Sequence, residues 1–170
     1  MVRPSARIAV VIRNVVWVGI VAHAGFVPLF LWLDHPGLAL FNVGSVASWV
    51  AAALANRTGR STLAMWILWG EVVAHACLAT AIFGWDSGYQ YYLIPLVPFV
   101  MFNDKLRAGT VWAASLATFC AIAALRVVAP TFPMDERIAW LTNVANLAIP
   151  LLALGLITFY FRLASVNVEQ

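Results

Sequence analysis

An integral membrane, all-α six-helix bundle is the fold class this sequence predicts, and three observations predict it. Apolar residues make up 64% of the chain and charged residues only 10%, with a mean hydropathy of +0.90. A soluble domain carries roughly 25% charged residues. Apolar runs of about membrane-spanning length recur along the chain, given ~20 residues per crossing. Eight of the ten Lys and Arg residues also fall on one side of the alternating path these runs describe.

The elements follow in order. The first span is expected over 8–33, with its hydrocarbon part beginning near Val15. Its basic start, MVRPSAR, raises a signal peptide as the alternative. The apolar run from Val15 to Leu33 is longer than the ~7–15-residue core of such a peptide, so a membrane helix is the reading. Further spans are expected over 37–55, 61–83, 90–102, 107–128 and 138–161, all within a single sensor domain covering 1–170. The fourth is short and carries Pro95 and Pro98, which should kink or shorten it and free backbone carbonyls that neighbours must satisfy. The connections DHPG, NRTGR, GWDSG, NDKLR and APTFPMDER are marked by Gly, Pro, Asn and Asp.

Charge sets the expected orientation. Arg3, Arg7, Arg13, Arg57, Arg60, Lys105, Arg107 and Arg162 share one side, and Arg126 and Arg137 lie on the other. Both termini are therefore expected in the cytoplasm, as a multi-pass protein of a bacterial cytoplasmic membrane. The net charge of +3 reflects this topology and calls for no nucleic-acid partner; lipid is the expected surrounding. Trp32, Trp85, Tyr89, Tyr91 and Tyr92 on the outside, with Tyr160 and Phe161 on the inside, suit an interfacial aromatic belt. The tail LASVNVEQ is expected to leave the membrane abruptly.

Three ionisable residues interrupt these runs: His23, Glu71 and His75. A charged group at mid-bilayer costs at least ~2.5 kcal/mol, so ionisable residues there are rare and usually functional. Glu71 and His75 are four apart, on one helical face. At ~1.5 Å rise per residue all three fall within about one turn of a common depth. Two imidazoles and a carboxylate form a common ligand set for zinc, copper or non-haem iron. A second reading makes His23 and His75 the axial ligands of haem b, with Gly19 and Gly25 giving the ring space and Glu71 placed awkwardly against the macrocycle. In a third, Glu71 is protonated or paired with one histidine and ties helices together, or the same groups hold a small organic ligand. These three readings stay open on the sequence.

Other polar residues are less specific. Asn143, Asn146 and Pro150 share one face of the last span, and suit interhelical hydrogen bonding or the lining of the central site, as does Tyr92. Asn42 and Ser45 read the same way. Asp34 and His35 suit a solvated outer loop, with His35 as a fourth ligand the lesser option, and Asp86 suits a turn. Cys77 and Cys120 lie in apolar runs and read as small buried apolar residues. The chain has no G-x-S-x-G, no H-E-x-x-H and no phosphate loop, and an enzyme is not expected.

The stretch EVVAHACLATAIFGWDSGYQYYLIPLVPFVMF, from Glu71 to Phe102, resembles the six-helix membrane domain at the N-terminus of bacterial class III adenylate cyclases and some diguanylate cyclases. The GWDSG turn, Gly84 to Gly88, followed by Gln90, Tyr91 and Tyr92 carries the likeness. The Val128 to Pro130 break before an acidic outer loop adds to it. Membrane domains of quorum-sensing receptor kinases are more loosely similar. The resemblance implies a domain that senses a ligand and signals through its last helix to a cytoplasmic cyclase, as a homodimer. The chain ends eight residues after Arg162, where a linker and catalytic domain would begin, so an excised sensory domain or a stand-alone relative is expected. The rival expectations are a haem b membrane cytochrome and a small proton-coupled transporter, the latter weakened by the lack of a visible inverted repeat.

Overall fold

A computed structural model of the chain describes residues 6–129 and 136–169. Arg3, Pro130 and the acidic outer loop lie outside the described residues, as does the side chain of Arg137. The fold is all-helical, with no strand among the described residues. Six α-helices follow in order: α1 (Ala6–Trp32), α2 (Pro36–Arg57), α3 (Ser61–Phe83), α4 (Leu96–Met101), α5 (Ala108–Val128) and α6 (Glu136–Glu169). Five of them, all but α4, are long and apolar enough to cross a membrane. α6 runs longer than the expected span of 138–161 and remains helical through Arg162 to Glu169.

The residues group into two compact units. Among the described residues, one comprises 6–71, 103–105 and 159–169, and the other 72–102, 106–129 and 136–158. In the first, α1 packs along α2. Each helix buries one narrow stripe at alternating three- and four-residue steps. On α1 the stripe includes Ile8, Ile12, Val16, Gly19 and His23; on α2 it includes Leu38, Asn42, Ser45 and Ala52. The opposite faces show large apolar side chains such as Val21, Leu40, Val43 and Leu54, as helices that meet lipid should. Asn56 Nδ2 donates to the Ala9 carbonyl at 2.9 Å and ties the far ends of α1 and α2 together. The connection between them turns at Asp34, whose φ is 59°, and Pro36 opens α2, where its missing N–H costs no helical bond.

The fourth predicted span is corrected. Residues 90–102 do not form a membrane-length helix; the path consists of 3₁₀ turns at Trp85–Ser87 and Tyr89–Leu93 and the six-residue α4. Pro95 and Pro98 remove donors from any longer helix, and Gly84 and Gly88 turn the chain with φ of 83° and 82°. Just past α4, Asn103 Nδ2 donates to Thr62 Oγ1 at 3.4 Å and to Met65 Sδ at 3.3 Å, near the start of α3.

Backbone carbonyls buried outside regular helix need partners from elsewhere in the protein. Asn143 Nδ2 donates to the Asp86 carbonyl at 3.0 Å and Asn146 Nδ2 to the Ser87 carbonyl at 2.8 Å. Gln90 Nε2 reaches the Trp85 carbonyl at 3.0 Å. The GWDSG turn is therefore pinned to α6 by the asparagine stripe. Gly88 lies against that stripe, where a Cβ would stand 3.1 Å from Asn143 Cα and 3.2 Å from Asn146 Cβ. Gly88→Ala is expected to lower stability by about 1–3 kcal/mol, from backbone strain at positive φ together with crowding. Thermal unfolding in detergent checks this, and an unchanged midpoint would remove the turn's role as a fixed element.

Candidate metal centre

The three buried ionisable residues meet. α1 carries His23 on its inward stripe, and α3 carries Glu71 and His75 on a stripe with Ser61, Ala64, Leu68 and Ala79. His23 Nε2 lies 3.4 Å from Glu71 Oε2. α3 is one continuous helix, so His75 follows Glu71 by one turn on the same side. Each of the three residues offers one ligand atom, and these atoms all lie within 4.8 Å of one another. α1 and α3 come together at His23 and Glu71, as a shared site requires.

Two residues that the sequence did not single out as ligand-shaping complete the surroundings. Asn42, expected only to bond between helices, places Oδ1 2.8 Å from His23 Nδ1, while its Nδ2 donates to the Leu38 carbonyl at 2.9 Å. Trp49 Nε1 donates to Glu71 Oε2 at 2.8 Å, and its indole lies 5.7 Å from the His23 ring, centroid to centroid. A signal for Trp49 exists in the sequence: it falls seven residues after Asn42 on the same stripe, and a buried indole N–H needs an acceptor. Glu71 Oε1 is buried and makes no hydrogen bond of its own, and the Ser45 hydroxyl lies near enough to interact with the Glu71 carboxylate. Among the described residues, no Lys or Arg forms an ion pair with Glu71.

The remaining candidates separate. Tyr92 borders His75, with ring centroids 6.4 Å apart, and its hydroxyl donates to Asn146 Oδ1 at 3.2 Å. Asn143 and Asn146 serve the GWDSG turn, which favours the hydrogen-bonding reading over site lining for this pair. Ser45 bonds its own helix at the Phe41 carbonyl, 3.3 Å away. His35 is not in the cluster; its carbonyl accepts from the backbone N–H of Leu38 and Ala39 at the start of α2. Cys77 is half-buried. Cys120 is exposed on α5, against expectation, because the stripe of Ala114, Thr118 and Leu125 turns it outward. Neither cysteine belongs to the ligand group.

The donor set fits a single ion better than a macrocycle. Tetrahedral zinc with N and O bonds of 2.0–2.2 Å places neighbouring donors ~3.3 Å apart. The 3.4 Å separation of His23 Nε2 and Glu71 Oε2 is such an edge. The space at Gly19, expected to admit a haem ring, is filled: a Cβ there would fall 2.2 Å from the Trp49 ring. Gly25 is exposed on the outer side of α1 and opens no slot toward His23.

Comparison with protein-family models, curated proteins and solved structures gives no match for this chain.

Proposed function

We propose that the protein is a membrane-embedded helical bundle that binds one transition-metal ion through His23, Glu71 and His75. One observation carries the reading: a buried carboxylate faces an imidazole nitrogen at 3.4 Å, with a second imidazole one turn away. A buried carboxylate with no Lys or Arg beside it is costly, and a cation held by these donors offsets that cost. Two imidazoles and one carboxylate, without a thiolate, suit Zn²⁺, Cu²⁺ or Fe²⁺ rather than a soft monovalent ion.

The resemblance to cyclase membrane domains extends the proposal to sensing. Metal occupancy would set the packing of α1 against α3, and α6 would pass the change to a cytoplasmic cyclase domain in a homodimer. The continuous helix past Arg162 supports such an output. An ion shifts packing only by the difference in its affinity for the two arrangements.

Elemental analysis and a visible spectrum of the purified protein test the reading. About one ion per chain and no Soret band are expected for the wild type, with the ion lost in Glu71→Gln and His75→Ala. Stoichiometric metal in both variants, or a Soret band in the wild type, would overturn it.

A further inference from the structure

We infer that Asn42 is a positioning residue that fixes the tautomer of His23 and so decides which nitrogen faces the ion. The inference rests on the metal-centre reading. Asn42 has one amide, and its two ends are committed. Nδ2 donates to the Leu38 carbonyl, which can only accept. The end facing His23 is therefore the carbonyl oxygen, 2.8 Å from Nδ1. A carbonyl oxygen cannot donate, so Nδ1 carries the hydrogen. In the neutral ring the lone pair then belongs to Nε2, the nitrogen that faces Glu71 Oε2 at 3.4 Å.

The consequence is electronic as well as geometric. The Nε2 lone pair and Oε2 are both electron-rich, and the Trp49 N–H already donates to that same Oε2. The facing pair is stable only with a proton or a cation between the two atoms. By holding Nδ1–H, Asn42 keeps Nε2 open to a metal in place of the competing Nε2–H tautomer, which would satisfy Glu71 by itself and block the ion. The bond to Leu38 stiffens this arrangement, because Asn42 sits one turn along α2 from that carbonyl and cannot rotate without losing it. Polar partners of this kind orient metal-binding histidines and change affinity by 10–100-fold.

The test uses ¹⁵N-histidine labelling of the full chain in detergent, which is tractable because the chain has three histidines. The metal-free wild type is expected to show His23 with Nδ1 protonated, either as the neutral Nδ1–H tautomer beside a protonated Glu71 or as the imidazolium paired with its carboxylate. Asn42→Leu is expected to move it to Nε2–H and to weaken Zn²⁺ binding, measured by competition with a chelator, by about 10–100-fold. Asn42→Asp keeps an acceptor at Nδ1 but loses the donor to the Leu38 carbonyl, so it is expected to retain the tautomer and to bind Zn²⁺ more tightly than Asn42→Leu does. An Nε2–H tautomer in the wild type overturns the inference even if Asn42→Leu fails to fold. Unchanged affinity in a folded Asn42→Leu also overturns it. A wild type with the Nδ1–H tautomer that binds no Zn²⁺, Cu²⁺ or Fe²⁺ instead overturns the metal centre and leaves the tautomer assignment standing.

Discussion

Glu71→Gln is expected to abolish the metal-dependent rise in thermal stability while leaving the metal-free protein as stable as the wild type or more so. At an ion concentration 100 times the dissociation constant, binding to the folded state alone contributes about 2.7 kcal/mol. For a chain of this size that corresponds to roughly 5–10 °C in the unfolding midpoint. A neutral amide removes the charged ligand, and a fall in affinity of about a hundredfold reduces the gain at the same concentration to a few tenths of a kcal/mol. The metal-free change has the opposite sign. Glutamine keeps an oxygen to accept from Trp49, whose bond to Oε2 is 2.8 Å, and it removes a buried charge that lacks a Lys or Arg partner. In the metal-free protein that charge faces the Nε2 lone pair of His23, and a neutral amide removes the desolvation cost and can donate to that nitrogen. Thermal unfolding in detergent with and without Zn²⁺ or Cu²⁺ separates the two signs. A variant that responds to the ion as the wild type does would show that the carboxylate is not a ligand.

The legible part of this fold is the part written in runs and stripes. Apolarity and flanking turn residues bound α3 at 61 and 83, and the helix occupies Ser61–Phe83. The His23, Glu71, His75 group was also legible, because ionisable residues at mid-span stand out against an apolar background. Their common depth follows from helix rise alone. The fourth passage shows where such reading stops. Residues 90–102 are apolar enough to suggest a helix, but Pro95, Pro98 and the two glycines decide the backbone locally. Which groups satisfy the Asp86 and Ser87 carbonyls of the turn depends on α6, more than fifty residues away in sequence, and only Asn143 and Asn146 together reveal it.

The immediate surroundings of the site were legible in kind but not in role. Asn42 was identifiable as a polar residue on an inward face, yet its acceptor end meets His23 only because α1 packs on α2 in one register. Trp49 offered less, since aromatic residues are common in such helices. Its importance comes from a missing side chain on another helix. A glycine in a membrane helix is usually read as a site of close helix approach. At Gly19 the space admits the Trp49 ring, and through it the donor that orients Glu71.

That dependence makes Gly19→Ala the most damaging single methyl addition expected in α1. The new Cβ would fall 2.2 Å from two ring carbons of Trp49, a rigid body that cannot yield by rotating a flexible tip. Overpacking of this kind costs about 1–3 kcal/mol. Displacing the indole also removes the donor to Oε2 and leaves a buried carboxylate oxygen and an indole N–H unpaired, for a further ~1–3 kcal/mol. Gly25→Ala is the matched control, because nothing lies within 4 Å of a Cβ at that position. There the change is expected to stabilise by up to about 1 kcal/mol, through helix propensity. Trp49→Leu in the Gly19→Ala background should recover the packing loss without recovering metal affinity, because leucine has no N–H to hold the carboxylate. The four proteins of that cycle, compared by thermal unfolding and by Zn²⁺ competition, separate crowding from orientation. Equal effects of alanine at 19 and at 25 would mean that Trp49 does not occupy the Gly19 notch, and the orientation of Glu71 would then have to come from α3 alone.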